Sequence, residues 1–259
     1  MPSAGEKWKT GISRVEPNKI VIRGYDVNEV MGRLSFAEAV YLLWVGKAPS
    51  PAVGKLMNAI MISCMDHGAT PPSVLAARTV ASCGAPLGPA LAAGILALSK
   101  YHGAAIEDSR RMIDRVLERV AGGSALPAAC DAELALLEAR GERASGIGHR
   151  LHTKDPRVEH LFRLAAECGG SGRAIAAMRG LRDALARRGK DLTINIDGAV
   201  AACLGEIGFP LELSNLLFIL ARSAGIAIQA HEETVRERPM RPIRAGDFEY
   251  DGVGERHLP

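Results

Sequence analysis

Sequence typical of β-strands is scarce in this chain of 259 residues, and this scarcity limits the possible folds more than any other feature. Residues 19–23, followed by the turn sequence 24–26, form the best candidate for a strand. Hydrophobic residues make up 47% of the chain and aromatic residues only 4%. This composition favours closely packed helices over a β-sandwich, because small residues let helix backbones approach one another.

Helical periodicity and capping signals predict a succession of helices along the rest of the chain. Ser35 and Glu38 have the spacing of a capping box at the start of one of them. The predicted helices cover residues 36–45, 51–65, 71–83, 89–100, 107–120, 131–140, 156–168, 172–188, 197–207 and 213–230. After His231 the chain becomes polar and rich in proline, which indicates an extended tail. These patterns predict an all-α protein.

Charge, cysteine usage and hydropathy exclude several classes of function. A formal net charge of +3 is too small to indicate a nucleic-acid partner. Five cysteines without C-x-x-C spacing favour reduced thiols and a cytoplasmic location. The polar amino terminus does not resemble a signal peptide, and polar residues interrupt the apolar stretch 211–230. We therefore expect a buried helix at 211–230 and no membrane span.

Three short stretches each place a proton-transfer group beside small residues. They are residues 101–105, 146–150 and 195–198, which contain His102, His149 and Asp197. Two imidazoles and one carboxylate can remove a proton from carbon and polarise carbonyl oxygens. Each stretch also has a simpler interpretation, since His102 suits a helix end and Asp197 suits a helix cap. No histidine spacing indicates a metal site, and no phosphate-binding or dinucleotide motif is present in the sequence.

Together with further segments, these stretches make the chain resemble the citrate synthase superfamily. The matching segments occur in the family's order at residues 66–68, 102–105, 146–150, 155–157, 195–198, 221–225 and 241–242. Residues 10–14, 24–25, 42–44 and 66–68 are more similar to citryl-CoA lyases and to the carboxy-terminal module of ATP-citrate lyase. His102, by contrast, is the residue type of citrate synthases.

The resemblance implies a two-domain helical fold and a particular assembly. A large helical domain would comprise residues 1–104 and 208–259, and a smaller helical domain, 105–207, would be inserted into it. Asp197 would then lie near one domain crossing and His102 near the other. Family members pair their subunits through helices, so a homodimer that exchanges carboxy-terminal arms is expected.

The resemblance also implies roles for individual residues. Asp197 would be the base, His102 would donate a hydrogen bond to the thioester oxygen, and His149 would donate one to the oxaloacetate carbonyl. The residues expected to bind the substrate carboxylates are His67, Arg157, Arg222 and, from the second subunit, Arg241. Arg238 precedes a proline as Arg241 does, and the sequence does not separate the two.

Coenzyme A would lie against the glycine-rich loop, with contacts from Gly146, Ile147, Gly148 and Arg150. It enters as a thioester substrate, so the family implies neither a cofactor nor a metal. The expected substrates are an acyl-CoA with oxaloacetate, or citryl-CoA itself. The sequence leaves open lyase or synthase, a 2-methylcitrate-type synthase, and a non-catalytic binding subunit.

Overall fold

The computed structural model describes residues 7–103, 105–149, 153–241 and 245–259. This part of the chain is mostly helical, which confirms the predicted all-α class. The eleven α-helices of the described residues are α1 Val27–Arg33, α2 Phe36–Val45, α3 Pro51–Cys64, α4 Pro72–Ser82, α5 Leu87–Leu96, α6 Ala105–Ala121, α7 Leu126–Ala139, α8 Pro156–Glu167, α9 Arg173–Arg187, α10 Ile196–Glu206 and α11 Ser214–Arg236.

A small antiparallel sheet precedes the helices. Its strands are β1 Ser13–Glu16, β2 Lys19–Ile22 and β3 Tyr25–Asp26, in that order across the sheet. Strand β2 confirms the predicted strand, whereas β1 was not predicted. Asn18, in the turn from β1 to β2, has a φ of 61°, a left-handed conformation that asparagine tolerates better than most residues.

The predicted capping box begins α2. Ser35 Oγ accepts a hydrogen bond from the Glu38 backbone N–H at 3.4 Å, and the Ser35 N–H donates to Glu38 Oε2 at 2.8 Å. The Ser35 hydroxyl also donates to Glu38 Oε2 at 2.7 Å, and this bond, together with that from the Ser35 N–H, lowers the pKa of Glu38. A signal confined to four residues was therefore sufficient to place the start of this helix.

Three helices differ from the prediction at their ends, and α1 was not predicted. Helix α7 begins at Leu126, five residues before the predicted start at residue 131, because Pro127 fits its first turn. Helix α5 begins at Leu87 and ends at Leu96, not at residues 89 and 100, because Pro89 fits the first turn, where a missing N–H costs little. Helix α11 continues to Arg236, six residues beyond the predicted end. Its added residues include Glu233, which is buried and paired with Arg78. The expected extended tail therefore begins later than predicted.

Contacts divide the chain into two units. Unit 1 comprises Met1–His67 and Leu98–Gly225, and unit 2 comprises Gly68–Ala97 and Ile226–Pro259. In unit 1, α10 packs against α6, α8 and α9, and its residues from Ala199 to Leu204 are completely buried. In unit 2, α4 packs against α5. The bounds of these units are not those of the expected domains, whose division at residues 104 and 207 stays a prediction.

One helical stretch of the described residues, Leu211–Arg236, is long and apolar enough to cross a membrane by length and composition alone. Within its most apolar window, 39% of the residues are buried. Core helices of soluble proteins have the same length and composition, so the expectation of a buried helix and no membrane span stays a prediction.

Candidate active site

The carboxyl end of α3 binds two arginines that the sequence predicts to contact substrate. Arg157 Nη1 donates to the Ser63 carbonyl at 2.9 Å, and Arg222 Nε donates to the Cys64 carbonyl at 2.7 Å. The last carbonyls of a helix have no partner within that helix, and cationic side chains are favourable partners for them. One helix end thus brings Arg157 and Arg222 together.

Arg157 is also held by a buried carboxylate. Its Nε donates to Asp155 Oδ1 at 2.9 Å and its Nη2 to Asp155 Oδ2 at 2.8 Å. This pairing raises the pKa of Arg157, which therefore stays charged. With the bond to Ser63, three of its five N–H groups have partners among the described residues. One N–H group remains on each of the two Nη nitrogens. A bidentate contact with a carboxylate uses two such N–H groups.

Arg222 is buried within unit 1. It is only 4% exposed, and its guanidinium carbon lies 4.7 Å from the centre of the Phe218 ring. Burial lowers the pKa of Arg222, but a guanidinium remains charged in proteins at neutral pH. Among the described residues no carboxylate forms an ion pair with it. An anionic ligand would therefore meet a cation that is already desolvated and oriented.

Asp197 lies in the first turn of α10 but does not cap it. The cap is Asn195, whose Oδ1 accepts from the backbone N–H groups of Asp197 at 3.0 Å and Gly198 at 3.2 Å. The alternative interpretation of Asp197 as a capping residue is therefore wrong. Burial raises the pKa of Asp197, whereas the charges of Arg222 and Arg157 lower it. No arginine of the described residues lies within ion-pair distance of its carboxylate.

The loop that carries His149 is fastened to the start of α10. The Gly148 N–H donates to the Thr193 carbonyl at 2.7 Å, and the Asn195 N–H donates to the Gly146 carbonyl at 3.0 Å. A Cβ atom on Gly198 would collide with the Gly146 carbonyl, so this approach requires glycine. His149 and Asp197 are thus placed by two segments that are joined through their backbones.

His67, expected to bind a substrate carboxylate, and His149, expected to donate to the oxaloacetate carbonyl, contact each other. The rings of His67 and His149 meet edge to face, with their centres 5.8 Å apart. His67 lies three residues after the end of α3 at Cys64, and the residues between them are packed closely against α11. A Cβ atom on Gly225 of that helix would collide with the Met65 carbonyl. The segment before His67 is therefore fixed at three successive carbonyls, those of Ser63, Cys64 and Met65.

His102 lies in a tight turn. Helix α5 ends at Leu96, six residues earlier, so His102 is not the end of that helix. Two backbone hydrogen bonds close the turn, from Ser99 N to His102 O at 2.7 Å and from His102 N to Ser99 O at 2.8 Å. Gly103 follows with a φ of 93°, and a Cβ there would lie 3.1 Å from Phe218. Phe218 also packs on Arg222, so it links the His102 turn to this arginine.

Three further residues were predicted for the site or for its coenzyme A contacts. Arg241 belongs to unit 2, where its Nε donates to Glu233 Oε1 at 2.7 Å and its Nη2 donates to Glu233 Oε2. Arg238 is exposed. Arg150 lies outside the described residues. Whether Arg238 or Arg241 reaches the site of a second subunit stays a prediction.

An open cavity of about 1020 Å³ lies beside the glycine-rich loop. Ile147, Gly148 and His149 form part of its wall. The remaining lining combines apolar, cationic and acidic side chains, including Leu134, Leu137, Leu185, Arg143, Arg188, Lys190, Glu138 and Glu142. The part of the chain that the structure describes has no cluster of three His, Cys, Asp or Glu side chains able to hold a metal ion.

Comparison with known proteins identifies the family. The family model for the citrate synthase C-terminal domain matches residues 46–243, which is most of the chain. The chain belongs to the citrate synthase family. Curated relatives of this family member include a citrate synthase-like protein of Mycobacterium tuberculosis, 30% identical over 206 residues that cover 77% of this chain and 52% of the relative. The chain thus spans about half the length of these curated relatives.

Solved structures agree with this family assignment. The citryl-CoA lyase of Hydrogenobacter thermophilus is 34% identical, with a TM-score of 0.88 over 98% of both chains. The ATP citrate lyase of Methanothrix soehngenii has a TM-score of 0.84 at 20% identity over 98% of this chain and 43% of that chain. These similarities confirm the expected citrate synthase-like fold. The roles of the individual site residues stay predictions.

The sequence did not reveal several groups that build this site. Asp155 and Asn195 hold predicted residues in place, Phe218 packs on Arg222, and the carbonyls of Ser63 and Cys64 anchor the two arginines. Asp155 precedes Pro156, a sequence signal for a helix start, so its capping role could have been found. Backbone carbonyls give no such signal, because every residue has one.

Proposed function

We propose that this family member makes or breaks the carbon–carbon bond of citryl-CoA, as a stand-alone citryl-CoA lyase or a compact citrate synthase. One observation carries the proposal. Asn195 caps α10, so the Asp197 carboxylate is not used as a helix cap, and its cationic neighbours are the oriented arginines Arg222 and Arg157. Similarity to the Hydrogenobacter thermophilus citryl-CoA lyase over nearly the whole of both chains favours the lyase.

In the cleavage direction, His149 accepts the proton of the citryl hydroxyl group. The carbon–carbon bond breaks, the hydroxyl carbon becomes the carbonyl of oxaloacetate, and the electron pair passes to the enolate of acetyl-CoA. His102 stabilises the enolate oxygen with a hydrogen bond, and Asp197 returns a proton to the methylene carbon. A raised pKa suits this step, because the carboxyl group must hold the proton that it donates.

In the condensation direction the same groups act in reverse. Asp197 removes a methyl proton from acetyl-CoA, and a higher pKa makes it a stronger base. A thioester α-proton is so weakly acidic that the developing oxyanion must receive the His102 hydrogen bond at the same time. His149 then donates to the carbonyl oxygen of oxaloacetate as the new bond forms.

The carboxylates of the substrate would bind Arg157 and Arg222, with His67 beside them. Arginine suits this task because its planar group forms two parallel hydrogen bonds with one carboxylate. Within a homodimer, the second subunit would add Arg241 to the site. A monomeric mass at micromolar concentration, measured by light scattering with full activity retained, would contradict this assembly.

Coenzyme A would occupy the cavity whose wall includes Ile147 and Gly148, with Gly146 and Arg150 as the further contacts that the family resemblance implies. The apolar part of the cavity wall suits an adenine ring, and the cations Arg143 and Lys190 suit phosphate groups. The thioester is a substrate, so the proposed reaction needs no cofactor. A cytoplasmic location stays part of the proposal.

Two assays on the purified protein test the reaction. With acetyl-CoA and oxaloacetate, a synthase releases free CoA, which a thiol reagent detects. With supplied citryl-CoA, a lyase forms acetyl-CoA and oxaloacetate without releasing free thiol. Propionyl-CoA and other 2-oxoacids in the same assays detect a 2-methylcitrate-type synthase. Thermal stabilisation by CoA and oxaloacetate without turnover of any pair would identify a non-catalytic binding subunit and refute the proposal.

A further inference from the structure

A buried carboxylate beside the candidate site has no part in the proposed proton transfers. Asp155 is 2% exposed and is the N-cap of α8, where its Oδ1 accepts from the Arg157 backbone N–H at 3.0 Å. Taking a carboxylate out of water is costly unless it is paired and hydrogen-bonded. The position of Asp155 therefore needs an explanation beyond the start of a helix.

Helix capping alone does not require a charged residue at this position. Asparagine and serine cap helices about as well as aspartate does. Asp26, the N-cap of α1, is a useful comparison within the chain, since it accepts from the Asn28 backbone at 2.8 Å in an exposed setting. No cation pairs with Asp26 among the described residues. What distinguishes Asp155 is its burial and its bidentate contact with Arg157.

That contact fixes the orientation of the Arg157 guanidinium group. Two hydrogen bonds from Nε and Nη2 to Asp155 align its plane with the carboxylate, and the bond from Nη1 to the Ser63 carbonyl prevents rotation about that axis. The remaining Nη hydrogens then point in set directions before any ligand arrives. A preoriented guanidinium loses less entropy when it binds a carboxylate than a mobile one does.

We propose that Asp155 is a positioning residue that holds Arg157 in the geometry that binds a substrate carboxylate. This inference rests on the proposed function, because it takes oxaloacetate and the oxaloacetate half of citryl-CoA as the ligands. Asp155 acts through Arg157 and does not touch the substrate. Its loss therefore weakens the binding of the dicarboxylate and leaves the binding of the CoA portion unchanged.

The test begins with Asp155→Asn, which keeps the size and the capping oxygen but places an N–H₂ group against an arginine N–H. Calorimetry of the full-length protein with oxaloacetate should give a Kd about 10- to 100-fold higher than that of the wild type, the range typical of residues that orient a ligand-binding group. KM for oxaloacetate should rise, while KM for acetyl-CoA should not change. Asp26→Asn is the matched control and should alter neither value.

A double-mutant cycle shows whether Asp155 acts through Arg157. If it does, Asp155→Asn adds no further loss of oxaloacetate affinity to Arg157→Met. Additive losses would overturn the proposal. Should the Asn variant fail to fold, Asp155→Ser keeps a capping oxygen, removes the bidentate acceptor and serves in the same cycle.

Three further outcomes distinguish the positioning role of Asp155 from a purely electrostatic role and from failure of the proposed reaction. Unchanged oxaloacetate affinity with the acid limb of the pH–rate profile moved to lower pH would overturn it, because Asp155 would then act only through its charge on Asp197. A wild type that binds oxaloacetate but turns over no substrate refutes the proposed reaction, while the affinity comparison still decides the role of Asp155. A wild type that binds no dicarboxylate refutes both.

Discussion

Two groups of arginines, one in each unit, show how a structural ion pair differs from a candidate anion site. In unit 2, Arg78 and Arg241 share the carboxylate of Glu233, which is 1% exposed. Arg78 also donates to Gln229 at 2.9 Å and to Glu232 at 3.1 Å. This network is closed, because its cations and anions bind one another directly.

The arginines of the candidate site are arranged differently. Arg222 is held by a backbone carbonyl, and Arg157 keeps one N–H on each Nη nitrogen after its bonds to Asp155 and Ser63. Asp197 is close enough for its pKa to respond to both arginines but forms an ion pair with neither among the described residues. The difference between the regions is thus that Arg222 and Asp197 form no ion pair among the described residues, whereas both arginines of the unit 2 network pair with Glu233.

The largest effect expected is that of Asp197→Asn on catalysis. Since Asn195 caps α10, the substitution should preserve the stability of the protein, while losing the base lowers the rate about 100- to 10,000-fold. Deuterium exchange at the acetyl-CoA methyl group measures this step. In the wild type, burial raises the pKa of Asp197, so exchange should fall with acid at a pH above the ordinary aspartate value of 3.8. Native-rate exchange in the Asn variant would rule out Asp197 as the base.

Breaking the closed network of unit 2 should affect stability instead. Glu233→Gln removes the buried anion that Arg78 and Arg241 share and leaves Glu232 as the anionic partner of Arg78, which should lower the free energy of unfolding by about 3 kcal/mol in urea denaturation. The oxaloacetate Kd of the folded variant should equal that of the wild type if the network is purely structural. A changed Kd would show that Arg241 contributes to a substrate site, as the family resemblance implies.

Removing Arg222 should show the opposite pattern. Arg222→Met retains much of the apolar packing on Phe218 but loses the cation. Hydrogen bonds to charged groups contribute about 1.5–3 kcal/mol, so the oxaloacetate Kd should rise about 10- to 100-fold. Arg78→Met is the control and should lower the unfolding free energy without changing the Kd. If the Arg222→Met variant bound oxaloacetate with the same Kd as the wild type, Arg222 would not be a substrate-binding residue, and the proposed difference between the two regions would be wrong.

The smallest effect expected concerns the backbone that anchors the site. Replacing a glycine within a helix by alanine normally stabilises it by about 0.5–1 kcal/mol. Gly225→Ala should instead destabilise the protein by about 1–3 kcal/mol, because its Cβ would press on the Met65 carbonyl. Gly32→Ala, whose Cβ would meet no atom within 4 Å, should stabilise it. The difference is measured as the change in Tm of each variant. Equal changes would show that the backbone before His67 moves easily to accommodate the added Cβ.

Elements defined by local signals were predictable from the sequence. The capping box of Ser35 and Glu38 and strand β2 depend on a few neighbouring residues. The end of α11 was not predictable, because Glu233 continues a helix in a polar sequence only by pairing with Arg78, a residue 155 positions away. Such partners are invisible to a periodicity argument.

The candidate site also combines features that the sequence predicts with features that depend on contacts in the folded chain. The types and order of its acids, bases and arginines were sufficient to indicate the chemistry, since the motifs around His149 and Asp197 lie in the sequence itself. The sequence left two uses of Asp197 open, and the cap at Asn195 decided between them only in three dimensions. Interactions that use the backbone, such as those at the end of α3, have no counterpart in residue types.

The carbonyl anchors at the end of α3 have a consequence for how this protein can drift in evolution. Arg157 and Arg222 each rely on an oxygen atom that every amino acid supplies, so replacing the side chain at position 63 leaves the oxygen in place as long as the helix keeps its course. Arg157 and Arg222 tolerate little change themselves, but the residues whose carbonyls bind them can be substituted. In a family alignment, this helix end would look dispensable, although the site is built on it.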